Sequence, residues 1–269
     1  MSLRRLFLAP AGLAFLLILS ACQTTSTTIT DGKPMPAEPQ AQPADAAQRA
    51  QLRLELASGY FARGQASTAL EEVGKALALE PNMGEAYNLR GLIYASTGDD
   101  ALAEESFRRA LQINARDADT MHNLGWFYCQ RRRYAEASTL FTQALAVPQY
   151  HDTSRTFLAQ GVCQARAGQN QDAERSLMRA YELDPTNPAA AVNLSEVLLR
   201  NGQYERARFY IRRVNSQPDA ATAQTLWLAA RIERRMGNVQ GVQDFGRQLR
   251  TRFPQSPEAL AYESGRFDD

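Results

Sequence analysis

GEAYNLRGLIYASTGDDALAEESFRRALQINARD, residues 84–117, is followed at once by ADTMHNLGWFYCQRRRYAEASTLFTQALAVPQYH, residues 118–151, and the two segments carry one pattern. Five of six marker residues recur at a shift of 34, and the exception is Arg132 in place of Gly98. The recurring residues are Gly91, Tyr94, Ala103, Phe107 and Ala110 in the first segment, and Gly125, Tyr128, Ala137, Phe141 and Ala144 in the second. A period of this length is typical of repeat proteins, in which one unit cannot bury its apolar face alone.

The pattern resembles the tetratricopeptide (TPR) repeat, a helix–turn–helix unit in which small residues let the two helices approach and aromatic residues fill the layer between them. Extended along the chain, the same frame gives six copies, at residues 50–83, 84–117, 118–151, 154–187, 188–221 and 223–256. We therefore predict an all-α, right-handed superhelix of about six repeats within a domain at 48–269. A short capping helix is expected at Pro257–Gly265.

Glycines recur at the turn between the two helices of a repeat, where a helix end often needs positive φ. Arg132 departs from this rule, so we expect the third turn to be less ideal than the others. The glycines are Gly64, Gly98, Gly168, Gly202 and Gly237.

The first 21 residues are typical of a signal peptide, with two arginines before an apolar stretch at 6–19. The stretch ends in Leu19-Ser20-Ala21-Cys22, which resembles the lipobox of bacterial lipoproteins and implies acylation of Cys22 after cleavage. The alternative is an ordinary signal peptide cut after Ala21, which would release a soluble periplasmic protein. Because Gln23 rather than aspartate follows the cysteine, the resemblance implies sorting to the outer membrane, with the protein on its periplasmic face.

Residues 22–47 are predicted to be a lipidated, disordered tether. The segment is rich in Thr and then in Pro, Ala and Gln, and it shows no apolar periodicity. An extended chain of this composition spans roughly 3 Å per residue, so the tether would act as a passive spacer between membrane and repeats.

Composition and motifs give no sign of catalysis, cofactor binding or nucleic-acid binding. The formal net charge is +1, and the chain has two histidines, His122 and His151, without metal-ligand spacing to acidic or cysteine partners. No phosphate-binding glycine loop or nucleophile elbow is present in the sequence. We therefore predict that the protein is not an enzyme, with no catalytic residue, metal site or cofactor.

Two cysteines remain if Cys22 is acylated, and both lie on the first helices of consecutive repeats. Neighbouring helices pack about 8–10 Å apart, and a disulfide needs Cα atoms within roughly 7 Å, so the spacing favours a Cys129–Cys163 bond in an oxidising compartment. The alternative is two independent buried thiols.

Partner binding is expected in the groove formed by the first helices of the repeats. Its lining is predicted to be apolar toward the N-terminus and arginine-rich toward the C-terminus, where solvated arginines are the commoner case. The predicted anchors are Leu54, Phe61, Leu92 and Trp126. The alternative is that the tether or the helix start at 46–49 folds over them.

Three segments of the third and fourth repeats resemble the PilF/PilW lipoproteins of type IV pilus biogenesis: residues 123–129 (NLGWFYC), 148–150 (PQY) and 161–163 (GVC). The lipobox, the tether and the six repeats also agree with that family. The resemblance implies a pilotin, an outer-membrane lipoprotein that binds the secretin subunit and promotes secretin localisation, assembly or pilus stability. It also implies a disulfide between Cys129 and Cys163. The competing interpretation is a TPR lipoprotein scaffold for cell-wall enzymes or for outer-membrane protein assembly.

Overall fold

A computed structural model of the chain describes residues 43–267, and they form thirteen α-helices with no β-strand among them. The helices are α1 (Pro43–Ala62), α2 (Ala66–Leu79), α3 (Gly84–Thr97), α4 (Asp100–Ile113), α5 (Ala118–Gln130), α6 (Tyr134–Leu145), α7 (Thr153–Arg166), α8 (Asn170–Leu183), α9 (Pro188–Arg200), α10 (Tyr204–Asn215), α11 (Ala223–Arg235), α12 (Val239–Arg252) and α13 (Pro257–Glu263). Consecutive helices pack as six pairs, and α13 packs on the last pair. The predicted all-α stack with a terminal helix is confirmed.

The chain becomes helical earlier than the sequence pattern indicated. Helix α1 begins at Pro43, so residues 43–47, which we assigned to the tether, are helical. Proline is well suited to the first helical position, and the alanines that follow are strong helix formers. The signal peptide (1–21), Cys22 and the rest of the tether lie outside the described residues. Within residues 43–267 no helix is both long enough and apolar enough to cross a membrane.

Each pair is held together by a small residue on its first helix and a large residue on its second. A Cβ placed on Gly91 of α3 would lie 2.7 Å from the Phe107 ring of α4, well inside van der Waals contact. Phe107 is fully buried at this point. The same arrangement recurs at Gly125 with Phe141 and at Gly161 with Leu177.

The first and fifth pairs carry another small residue in place of this glycine. In the first pair Ala57 of α1 stands at the repeat position of Gly91, and Val73 of α2 at that of Phe107. In the fifth pair Ser195 of α9 and Ile211 hold the same two positions, and all four residues are buried. A small residue on the first helix thus lies at the level of a larger apolar one on the second in these two pairs as well.

The sixth pair departs from this rule. Helix α12 carries Gly246 where the other second helices carry the large residue, and Val242 where they carry alanine. A Cβ on Gly246 would lie 1.9 Å from the ring of Tyr262, so Tyr262 of α13 fills the space above the bare backbone. The capping helix thus supplies the bulk that α12 lacks.

The turns within the pairs all use the left-handed backbone conformation. Five of them have glycine at this position, with φ between 72° and 87°, and Arg132 adopts the same conformation with φ of 60°. The next residue keeps the hydrogen bond of the other turns, since the Arg133 amide donates to the Tyr128 carbonyl at 2.9 Å. The third turn is therefore similar in shape, and it is less ideal because a side chain costs roughly 1–2 kcal/mol in this conformation.

We expect Gly91→Ala to lower the free energy of unfolding by about 1–3 kcal/mol, because the added methyl overlaps the Phe107 ring. Gly74→Ala is the matched control. Gly74 is an exposed glycine inside α2 with no atom within 4 Å of an added Cβ, and its replacement should raise the stability by about 0.5–1 kcal/mol. Chemical denaturation followed by circular dichroism measures both. Equal effects of the two substitutions would contradict the packing rule.

Candidate protein-interaction site

Leu54, one of the four predicted groove anchors, is a core residue. Its side chain is only 6% exposed, and it packs in one cluster with Ala57, Val73 and Leu89. Ala50, Leu54 and Ala57 are spaced three or four residues apart, so they lie on one face of α1, and that face is buried against the helices that follow. The prediction that Leu54 lines an open groove is therefore wrong.

The other three predicted anchors are half-buried at the edge of the core. Phe61 packs against the same cluster as Leu54. Leu92 and Trp126 pack against a second cluster, around Phe107 and Phe141. The structure therefore places the four anchors in two groups rather than in one surface. Trp126 also carries the Arg166 guanidinium over its ring, 5.2 Å from the centroid, which covers part of its face.

The first helical pair carries an apolar groove that the sequence analysis missed. Leu52 and Leu56 of α1 are 54% and 48% exposed, and together with Ala78 and Leu79 of α2 they line a groove of 560 Å³. Exposed leucines grouped in a concave surface are a common feature of protein-binding sites.

Three cations surround this apolar groove: Arg49, Arg53 and Lys75. Two of them converge on the nearly buried Glu72, which accepts hydrogen bonds from Arg53 Nη1 at 2.8 Å and from Lys75 Nζ at 2.6 Å. The hydrogen bond from Lys75, and then that from Arg53, lowers the pKa of Glu72 below its usual value, so the carboxylate stays ionised and holds both cations at the edge of the groove. The third cation, Arg49, has its Nε 3.9 Å from Asp45 Oδ1, so the rim holds three cations and two carboxylates and carries a small excess of positive charge.

The position of Leu52 and Leu56 within the repeat explains why they are exposed. The residues equivalent to Leu52 are buried in all five repeats that follow; they are Ala86, Thr120, Thr156, Ala190 and Thr225. The residues equivalent to Leu56 in the third and fifth repeats, Leu124 and Leu194, pack in clusters that contain residues of the preceding pair. Because no pair precedes α1 among the described residues, this end of the stack stays open. Two leucines on a second face of the first helix are the sequence signal that would have revealed it.

A larger groove, of 780 Å³, lies between α3 and α4, but its walls are mainly charged side chains, three arginines and two glutamates. Glu104, for example, lies 2.6 Å from Arg108 and 2.6 Å from Arg133, and it accepts a hydrogen bond from the Tyr128 hydroxyl. Walls of this kind offer a partner less apolar surface to bury than the exposed Leu52 and Leu56 do. The α1–α2 groove is therefore the stronger candidate.

The structure joins Cys129 of α5 and Cys163 of α7 in a disulfide, with their Cα atoms 5.7 Å apart. Both residues are buried, in the same cluster as Phe107 and Phe141. The bond links the first helices of the third and fourth pairs across 34 residues of sequence. It lies in the core, away from the α1–α2 groove.

The described residues contain no group of three or more His, Cys, Asp or Glu side chains that could hold a metal ion. His122, which holds in the third repeat the position that Leu54 holds in the first, is buried. Its Nδ1 lies 2.8 Å from the Thr156 hydroxyl, which in turn lies 2.9 Å from the Tyr150 hydroxyl. These contacts connect α5, α7 and the loop before α7.

Comparison with known proteins agrees with this architecture. Residues 82–149 and 116–186 match one tetratricopeptide repeat family model, and residues 164–232 match another. The type IV pilus assembly protein PilF of Pseudomonas aeruginosa is 26% identical over 211 residues, which cover 78% of this chain and 83% of PilF. The crystal structure of PilW, described as a widely conserved type IV pilus biogenesis factor, superposes with a TM-score of 0.74 at 32% identity, over 80% of this chain and 98% of PilW.

The chain belongs to the PilF/PilW family of TPR proteins. The structure of Pseudomonas aeruginosa PilF shares its fold, with a TM-score of 0.71 at 23% identity over 82% of this chain and 99% of PilF. The repeat fold and these relatives indicate a protein-interaction scaffold, as the sequence predicted. Within this family fold, the α1–α2 groove is the described surface that combines exposed leucines with a basic rim.

Burial controls the ionisation of His122. Removal from water is the main cause that lowers the pKa of His122 from 6.5 to about 4; the charge of Arg155 adds to this effect, and Asp152 opposes it. The imidazole is therefore neutral in the folded protein at neutral pH. Because the unfolded chain binds a proton at His122 below about pH 6.5 and the folded chain does not until about pH 4, stability falls as the pH drops through this window.

We expect His122→Gln to flatten the pH dependence of the free energy of unfolding between pH 6.5 and pH 4, the window in which His122 of the natural chain remains neutral only when folded. Denaturation series at several pH values, with His151→Gln as the control at an exposed histidine, measure the difference. If the free energy of unfolding changed between pH 7 and pH 4.5 by the same amount in the natural chain and in His122→Gln, the assignment would be wrong.

Breaking the disulfide should destabilise the stack. For a loop of 34 residues the chain-entropy estimate is about 3–4 kcal/mol, so Cys129→Ala with Cys163→Ala should lower the free energy of unfolding by about 2–4 kcal/mol. Reduced natural chain should match the double variant. Non-reducing peptide mapping should recover one cross-linked peptide pair with both cysteines, and free thiols at both positions would refute the bond.

Proposed function

We propose that this protein is an outer-membrane lipoprotein of type IV pilus biogenesis that acts as a pilotin. Cys22, acylated after removal of the signal peptide, would anchor it to the inner leaflet of the outer membrane, and the repeats would bind a secretin subunit and promote its localisation and assembly. Family membership and the names of the relatives, a pilus assembly protein and a pilus biogenesis factor, support the general role.

The observation that carries the proposal is the open apolar groove on α1 and α2. Full burial of a leucine side chain contributes about 1.5–3 kcal/mol, and Leu52 and Leu56 are each about half exposed, so covering both would contribute about 2 kcal/mol. The basic rim favours a partner segment with acidic residues beside its apolar ones. The proposed ligand is therefore an amphipathic, acidic-flanked segment of the secretin subunit.

The place of the groove in the chain suits a membrane-anchored carrier. Twenty residues, 23–42, separate the proposed lipid anchor from the start of α1. At roughly 3 Å per residue they span at most about 60 Å when extended. A subunit held on the first helical pair would thus stay within reach of the membrane while neighbouring subunits arrive.

Replacing Leu52 and Leu56 together by glutamate should lower the amount of assembled secretin multimer in the outer membrane at least tenfold, which corresponds to about 1.4 kcal/mol of lost binding. The level of the lipoprotein should not change, because both side chains are exposed. Immunoblotting of unheated envelope fractions measures the multimer, and blotting against the lipoprotein measures its level.

The matched control is the pair Leu102→Glu and Leu183→Glu, which alters two leucines that are 44% and 42% exposed on other helices. This control should assemble secretin normally. Persistence of the multimer in the Leu52 and Leu56 double variant would refute the groove as the secretin site. A second experiment isolates the natural lipoprotein from an envelope extract and identifies the proteins bound to it. A cell-wall enzyme in place of secretin would favour the scaffold alternative.

A further inference from the structure

The end of the chain returns to the sixth repeat and inserts one aromatic side chain there. After α13 the backbone turns at Gly265, which has a φ of 70°. The side chain of Phe267 is buried, with 7% of its surface exposed. Its ring centroid lies 4.8 Å from that of Trp227 and 5.9 Å from that of Tyr262. The Arg234 guanidinium lies 4.6 Å from the Phe267 ring centroid. Two aromatic rings and one cation thus surround a single phenylalanine.

Two sides of this pocket come from the first helix of the repeat. Trp227 and Arg234 of α11 are seven residues apart, two helical turns, so they lie on one face. Counted from residue 223, they are positions 5 and 12 of the sixth repeat, the positions that the predicted anchors Leu54 and Phe61 hold in the first repeat. No other repeat carries an aromatic residue together with an arginine at these two positions; the pairs are Leu54 with Phe61, Asn88 with Ala95, His122 with Cys129, Leu158 with Ala165, and Val192 with Leu199. The sixth repeat is therefore specialised at this point.

The third side, Tyr262, is held in place independently of Phe267. Tyr262 rests on the bare backbone at Gly246, and α13 is joined to α11 and α12 through the buried cluster of Leu226, Leu249 and Ala259. The last residues, by contrast, make local backbone bonds, since the Phe267 amide donates to the Gly265 carbonyl at 3.1 Å. The pocket should therefore keep its shape when Phe267 leaves it.

An unused donor lies on the same helix. Among the described residues Arg231 Nε is buried and has no hydrogen-bond partner. A buried guanidinium nitrogen without an acceptor favours a carboxylate nearby. Arg231 is four residues from Trp227 and three from Arg234, so all three lie on one face of α11. That face suits an acidic residue beside an aromatic one, as in the sequence Phe267-Asp268-Asp269 of the chain itself.

We infer that the pocket formed by Trp227, Arg234 and Tyr262 is a second peptide-binding site, distinct from the α1–α2 groove, for an extended segment with an aromatic residue next to an acidic one. In the structure Phe267 of the same chain occupies it. A partner segment therefore binds only by displacing the end of the chain. Because three residues, 264–266, connect Phe267 to α13, the local concentration of the internal ligand is of the order of millimolar, so it competes with partners that bind weakly.

Trp227 fluorescence tests the site directly. The chain has two tryptophans, so Trp126→Phe leaves Trp227 as the single reporter in both proteins of the comparison. The first is the full chain in detergent, and the second is the same chain ending after Ser264. The ligand is a synthetic peptide of residues 261–269, and the control peptide has alanine in place of its phenylalanine.

The shortened chain should show a saturable change of Trp227 emission with the peptide and none with the control peptide. The full chain should need at least ten times more peptide for half-saturation, as expected if Phe267 occupies the pocket in 90% of molecules or more. Phe267→Ala in the full chain, which keeps the backbone and removes the ring, should bind the peptide like the shortened chain. Arg234→Gln in the shortened chain should weaken binding.

Three results would overturn the inference. Equal binding by the full and shortened chains would show that Phe267 does not occupy the site. In the second result, the shortened chain and the Phe267→Ala variant both melt like the full chain and yet show no emission change with the peptide. That result would show that the pocket binds no peptide. Loss of helix in both of these variants, seen by circular dichroism, would identify Phe267 as a core residue rather than a displaceable ligand.

Discussion

The contact between a small residue on the first helix of a pair and a large residue on the second sets the geometry of this protein. Gly91 with Phe107 shows the limit, because even one methyl group on the glycine would overlap the ring. The distance between the two helices fixes the angle at which the next pair can be added, so the same contact repeated along the chain produces a regular stack. The disulfide between α5 and α7 then joins two successive pairs through the same core.

A stack of this kind has two ends, and the protein treats them differently. At the first end Leu52 and Leu56 occupy positions that later repeats bury, and no described element covers them. At the other end α13 covers the last pair, with Tyr262 lying over Gly246 in place of the large residue that α12 lacks. Apolar surface at one end is therefore available to a partner, whereas at the other end it is used within the chain.

The sequence predicted the repeated part of the fold well and the end effects poorly. Period, turn glycines and capping helix follow from local rules, and the structure bears out the all-α stack that they predict. Leu54 failed as a groove residue because a repeat position does not have one fixed environment. In α1 the face with Ala50 and Ala57 is buried against the next helices, and the adjacent face with Leu52 and Leu56 stays about half exposed. Which face is covered depends on neighbours that the repeat pattern does not describe.

The same reasoning applies to the groove side of the first helices. His122 holds the repeat position of Trp227, and Cys129 holds that of Arg234. The His122 ring is hydrogen-bonded to the Thr156 hydroxyl, and Cys129 forms a disulfide with Cys163. In the third repeat these positions join consecutive repeats. In the sixth, where no further pair follows α12 among the described residues, Trp227 and Arg234 contact the Phe267 ring instead. Side chains that do not take part in stacking can bind another segment, and both candidate sites lie in the terminal repeats of the described stack.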